Sequence, residues 1–283
     1  MNKLSVGRRT HILAALVDGN SIRATCRITD TAKGTVLKLL VDAGRVCRAY
    51  QQAHLVNLPC KRLQVDEIWS FVNMKERTIS SRHAGMVGIG DAWTFVALDA
   101  DTKLVPSFLV TSLRGATAAT LFLRDLESRL AHRVQLTTDG HGVYLRAVED
   151  AFGWNRVDYS MLVKIYGQSP EGERRYSPAV CLGIEKHPIM GNPDPDHVST
   201  SYVERQNLTM RMSMRCFTRL TNAFSKKLEN LGHAVSLHFM HYNFARIHKT
   251  LRMSPAMAAG VDQHLWTVPE IAEMIGSYAS ESN

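Results

Sequence analysis

At 283 residues and 45% hydrophobic, the chain has core-forming residues enough for one large domain or two to three smaller ones. No apolar run approaches the ~20 residues of a membrane span, and the short apolar stretch before Asp18 lacks the cleavage site of a signal peptide. Five cysteines (Cys26, Cys47, Cys60, Cys181, Cys216) without a CxxC pair argue against a disulfide scaffold or a zinc ribbon and for a reducing cytoplasm. The net charge of +8 is unevenly spread: residues 1–60 hold 9 Lys and Arg against 3 acids, and residues 200–253 hold 9 against 2. Positive charge clustered twice in this way points to a polyanion partner.

In chain order, residues 6–18 have a helical apolar pattern (Ile12, Leu13, Leu16, Val17) stopped by Gly19-Asn20. SIRATCRIT follows as a short helix with Ser21 as N-cap, and TAKGTVLKLLVDAG as a third helix ending at Gly44. Two short helices joined by a tight turn after a first helix form a helix-turn-helix layout, which a plain three-helix bundle would share. The charge favours DNA binding, with Arg23, Arg27, Lys33, Thr35 and Lys38 as the residues facing it. This all-α unit is expected over residues 1–58, with a linker around Pro59.

From Leu63 the period becomes that of strands. LQVDEIWSFVN reads as a buried strand, and WTFVALDADTKLVPSFLV as a hairpin turning at Asp99-Ala100-Asp101. A helix with Leu121, Phe122, Leu126 and Leu130 at helical spacing comes next. RVQLTTDG is then a strand, HGVYLRAVEDAFG a helix and VDYSMLVKIYG a strand. This order predicts a mixed sheet with helical cover over residues 59–253. Residues 167–199, with nine Gly and Pro, are expected as an irregular insertion. Helix resumes from Ser201, breaks near Thr221–Ala223, and continues to about Leu251; residues 254–283 form an acidic tail or helix, a possible dimer-builder over Val268–Tyr278.

Three acids stand out. Asp66 interrupts an apolar strand, Asp139 ends one, and Glu204 leads a basic helical segment; without a His or Cys cluster they suit Mg²⁺ or Mn²⁺ as hard oxygen ligands. Each also has an ordinary reading. Backbone donors would satisfy Asp66, Asp139-Gly140 is a good turn, and Ser201-x-x-Glu204 fits a capping box. Glu67, placed on the opposite strand face by alternation, ranks below the trio with Asp99, Asp101, Asp158 and Glu185. At ~100° per residue, Arg211, Arg215 and Arg219 would share a helical face with Glu204, and Lys226 and Lys227 extend the basic run. Met210, Met212, Met214 and Phe217 read as core. His141 could orient a phosphate but reads more readily as a surface turn histidine. Lys164 and Tyr166 leave a strand toward the insertion, where they either touch substrate or face solvent. His238, His241 and His248 read as packing or DNA-facing residues.

VDEIWSFV, WTFVALDADTKLV, LTTDGH, TSYVERQNLTMRM and HYNFARIHKTLRMSPAMAAG together resemble a transposase of the insertion-sequence-one type, over nearly the whole chain to about Gly260. The resemblance implies an α/β ribonuclease-H-like (integrase-like) catalytic core preceded by the helix-turn-helix. It also implies a DDE triad of Asp66, Asp139 and Glu204 holding two divalent ions, with Arg211 at the family's basic position seven residues past the glutamate. The implied reaction cuts the 3′ ends of an insertion sequence and joins them to target DNA without a covalent protein–DNA intermediate. A homodimer or higher synaptic oligomer on double-stranded DNA in a bacterial, nucleoid-associated cytoplasm would carry it out. Relatives often carry a Cys-rich zinc segment before the helix-turn-helix; the spacing of Cys26, Cys47 and Cys60 predicts no zinc here. A nuclease without joining activity and an inactive DNA-binding regulator remain the alternatives.

Overall fold

The computed structural model describes residues 4–79, 88–167, 180–218 and 221–281. Helices α1 (Val6–Val17), α2 (Ile22–Ile28) and α3 (Lys33–His54) come first. Ser5 and Ser21 cap α1 and α2 by accepting from the amides of Arg8 and Ala24. The turn into α3 passes through Asp30 at φ 46°, and Arg8 of α1 braces it by donating to the Asp30 carbonyl at 2.8 Å and to Thr31 Oγ1 at 3.2 Å.

The centre is a mixed six-stranded sheet in the order β3-β2-β1-β4-β5-β6. Its strands are β1 (Arg62–Val72), β2 (Gly90–Asp99), β3 (Phe108–Thr111), β4 (Val134–Asp139), β5 (Val157–Tyr166) and β6 (Cys181–Met190). β1, β2 and β3 pair antiparallel with one another, and β4 and β5 run parallel to β1. This arrangement is consistent with the ribonuclease-H-like core that the resemblance implies. Alternation along β1 sends Leu63 and Val65 to one core, shared with α4 (Ala116–Ser128), α5 (Val143–Phe152) and α1–α3. Ile68 and Val72 go to the other, shared with α6 (Ser201–Ser213) and α7 (Leu228–Met240). Helix α7 feeds both cores, Leu237 and Met240 into the first and Val235 and Phe239 into the second, and so ties the N-terminal helices to the sheet. A short π-helical turn (His241–Ala245), α8 (Pro255–Ala258) and α9 (Val268–Glu281) complete the chain. Among the described residues, no helix is long and apolar enough to cross a membrane.

Several sequence expectations need correcting. Gly44 does not stop α3, which runs ten residues further. Its missing side chain instead lets α7 approach, since a Cβ there would overlap the Cβ and backbone of His233. The region 167–199 is not irregular throughout: β6 pairs antiparallel with β5, with Ile165 opposite Gly183 and Tyr159 opposite Met190. Backbone pairing to an open strand edge makes that strand; its side chains are mostly exposed, so no alternation announces it.

Helix α6 ends at Ser213, well before the expected break, because Met214 and Phe217 turn into the second core. Arg215 therefore sits on a 3₁₀ turn and shares no helix with Glu204, and Arg219 lies outside the described residues. Met212 is 71% exposed and is not core. The apolar side of α9 (Ile271, Ala272, Ile275) is buried against the first core and packs on α1 and α3, so it is consumed within the chain and not free to build a dimer.

Gly44 and Gly34 provide a paired test. In α3 an alanine gains up to about 1 kcal/mol of helix propensity over glycine, but backbone overlap with α7 costs about 1–3 kcal/mol. Gly44→Ala should lower the thermal midpoint and Gly44→Val lower it further. Gly34→Ala, with open space around its Cβ, should leave the midpoint unchanged or raise it.

Candidate active site

Asp66 and Asp139 meet because of strand register. In the parallel β1–β4 pair Val65 lies opposite Thr138, which sets the next residue of each strand side by side. Each carboxylate is oriented locally: Asp66 Oδ1 accepts from the Glu67 amide at 2.8 Å, and Asp139 Oδ1 from the His141 amide at 3.1 Å. Helix α6 lies over them, and its Asn207 donates from Nδ2 to Asp66 Oδ2 at 2.8 Å. The start of α6 is itself held by β1, because buried Gln64 accepts from the amides of Tyr202 and Val203 at 2.9 and 3.1 Å. Gln64 thereby serves as the cap that the sequence assigned to Ser201; Ser201 instead bonds Ser199.

A third acid joins the pair, and it is Glu67. Oxygens of Asp66, Glu67 and Asp139 all lie within 4.8 Å of one another. Glu67 does leave β1 on the face of α5, as alternation requires. There Arg114 Nε donates to its Oε1 at 3.2 Å, His141 Nε2 stands 4.0 Å away, and the buried phenol of Tyr144 lies in the same pocket. Its side chain is only 1% exposed, and the Tyr144 phenol is its remaining hydrogen-bonding neighbour, too long or too poorly angled for a full hydrogen bond. A buried, incompletely satisfied carboxylate next to two more carboxylates favours a cation among them. Oxygen-only donors of this kind fit Mg²⁺ or Mn²⁺.

The electrostatics agree. Burial, then the neighbouring charges of Asp139 and Glu67, push the Asp66 carboxyl up to about 7. Burial and Asp139 likewise raise Glu67, against the pull of Arg114. Glu204, the expected third member, stands close enough for its charge to act on Asp66 but lies outside the three-carboxylate cluster. Its Oε1 takes Lys164 Nζ of β5 at 2.5 Å and Thr200 Oγ1 at 2.6 Å. Burial works against the Lys164 charge, but Glu204 outweighs it and the pKa is raised. Arg211 sits in the last turn of α6. His238 is a core residue, buried against Tyr242, with its pKa lowered to about 3 by burial.

The two basic segments converge elsewhere on one cavity of about 860 Å³, between α1–α3 and residues 213–238. Arg23, Arg27 and Lys33 line it from one side and Arg215, Lys226 and Lys227 from the other, with no acid among the described lining residues. Lys38 lies outside this lining and pairs with Asp42 at 2.9 Å; Thr35 lies outside it too.

Arg114, Gln64 and Asn207 were not singled out from the sequence, and Glu67 was ranked below the trio. Asn207 carried a signal, being a polar residue one turn past Glu204 on the face that α6 buries. Gln64 carried a similar one, sharing the strand face of Asp66.

No protein-family model matches the chain, and no curated protein matches it in sequence. Solved structures give distant likenesses. A chain of the simian T-cell lymphotropic virus intasome in complex with PP2A regulatory subunit B56 gamma is 12% identical over 72% of this chain, with a TM-score of 0.41; the match spans 55% of that chain. A pre-cleavage Mos1 transpososome is 11% identical over 98% of this chain and 80% of its own, with a TM-score of 0.35. A piggyBac transposase synaptic complex with hairpin DNA is 10% identical over 79% and 53%, with a TM-score of 0.32. At TM-scores this low, they carry no argument about the reaction.

The raised Asp66 pKa gives a signed prediction for protein stripped of divalent ions. The native state holds a proton that the unfolded state releases near pH 4, so stability should fall as pH rises from about 4 to about 7. Thermal unfolding in EDTA across that range should show this fall in the wild type and a shallower one in Asp66→Asn. Parallel profiles for the two proteins would contradict the assignment.

Proposed function

We propose that this chain is a DDE-type DNA transposase of the insertion-sequence-one kind, which cuts the 3′ ends of its element and joins them to target DNA. One observation carries the reading: register in a mixed sheet sets Asp66 beside Asp139, with an oxygen of Glu67 within 4.8 Å of both and Glu204 in the first turn of the helix above. Convergence of both basic segments on one cavity supports a polyanionic substrate.

In this reading Asp66 and Asp139 would together hold one divalent ion, and Glu204 would help to hold a second. Two such ions stabilise both the attacking and the leaving oxygen of an in-line phosphoryl displacement. The chain's own part is positioning. Asn207 and the Glu67 amide fix the two Asp66 oxygens, the His141 amide fixes Asp139, and Gln64 locks α6 over the strands. Lys164, the present partner of Glu204, is a cation at hand for the scissile phosphate, and Arg211 lies further along the same helix. The helices α2 and α3 act as the helix-turn-helix that reads the element ends. The enzyme works as a dimer or larger assembly in the cytoplasm, because two ends must be held together.

The test uses labelled DNA from the ends of the genetic element that encodes the chain, with Mn²⁺. Wild-type protein should cleave and join, and Asp139→Asn should lose about a thousandfold or more in both steps. Undiminished joining by Asp139→Asn would overturn the metal-triad reading. Cleavage without joining would mark a nuclease, and end binding with neither step a regulator.

A further inference from the structure

The cavity between α1–α3 and residues 213–238 has a character that a duplex alone does not explain. Its lining carries six cations and polar side chains, and also an apolar floor-like set: Leu16, Ile22 and Leu37 from the N-terminal helices with Ala234 and Phe224 from the other segment, all only partly buried. A duplex offers a surface phosphates and polar groove edges, and its bases are stacked away from such a floor. An unpaired strand offers phosphates and free base faces together, which is what a cationic groove with an apolar, aromatic-bearing floor takes. Phe224 supplies the aromatic ring, with Phe71 4.8 Å from it and Lys226 Nζ 3.8 Å from its centre, so a base stacking there displaces the ammonium, which is then free to meet the strand's phosphate.

The groove is also within reach of the carboxylates. Helix α6 starts over them and ends at Ser213, a lining residue of the groove. The nine residues from Glu204 to Ser213 cover about 14 Å at the helical rise, about four nucleotides of a stacked strand. We infer that this groove binds a short unpaired DNA strand next to the site of cutting, phosphates on the six cations and unstacked bases against Phe224 and the apolar floor. The inference rests on the DNA-processing reading above and adds to it a substrate form, a frayed or single-stranded end.

Fluorescence anisotropy with the full chain tests it, comparing a blunt duplex with the same duplex carrying a short unpaired extension. The tailed duplex should bind about tenfold tighter or more, and Phe224→Ala and Ala234→Glu should each bring that ratio close to one. The ratio is read within each variant, so a general loss of folding or affinity does not mimic the result. Equal binding of blunt and tailed duplex by wild type would overturn the inference, as would a ratio that survives both substitutions. Displacement of a bound tail by an acidic amphipathic peptide, with no tail preference, would assign the groove to a protein partner instead. Metal-dependent cleavage measured on the blunt duplex separates the two claims. If cleavage persists without tail preference, only the groove assignment fails; if tail preference persists without cleavage, only the catalytic reading fails.

Discussion

The parallel pairing of β1 with β4 sets Asp66 beside Asp139, and much of the surrounding structure answers the cost of that placement. At an effective dielectric constant of about 20, two like charges 4.8 Å apart repel by about 3.5 kcal/mol. Three carboxylates within that distance in a partly buried site destabilise one another, and a cation among them would relieve it. The chain relieves part of the cost: Arg114 meets Glu67, Asn207 and two amides meet the aspartates, and the Asp66 pKa rises toward neutrality. Glu67 has the Tyr144 phenol beside it as well, but its pKa stays raised. A site that is nearly but not fully satisfied by protein groups is suited to holding an ion that must also engage a substrate.

The same strands order the rest of the molecule. Gln64 and Asp66 share a face of β1, and both hold α6, so the helix bearing Glu204 is tied to the strand bearing the aspartate. From there α6 leads to the basic groove. Helix α7 joins the groove's far wall to α3 through the close approach at Gly44, so the N-terminal helices are braced against the core that carries the acids. DNA held by the basic groove would therefore stand in a fixed relation to the clustered carboxylates.

The sequence revealed the strands whose side chains are sorted by burial. β1, β2, β4 and β5 each have buried positions that read as apolar runs, and Asp66 and Asp139 were visible as breaks in those runs. β6 was illegible because an exposed strand has no alternation to read. Glu67 was set aside on correct geometry: it does face away from Asp66, but a glutamate is long enough, next to a neighbouring strand's terminal aspartate, to bring one oxygen into the cluster. Gly44 looked like a helix stop because glycine serves both as a C-cap and as a point of close helix approach, and only the partner helix distinguishes them. The arginine ladder failed at Met214, where burial of Met214 and Phe217 outweighs the continuing helical spacing.

The central claim is that Asp66 and Asp139 together hold a divalent ion. The most direct measurement is the anomalous difference density of crystals grown with Mn²⁺. The account predicts a peak bridged by the Asp66 and Asp139 carboxylates, with Glu204 turned from Lys164 toward a second ion. An Mn²⁺-saturated crystal with no peak between the two aspartates, and with Glu204 still on Lys164, would contradict it.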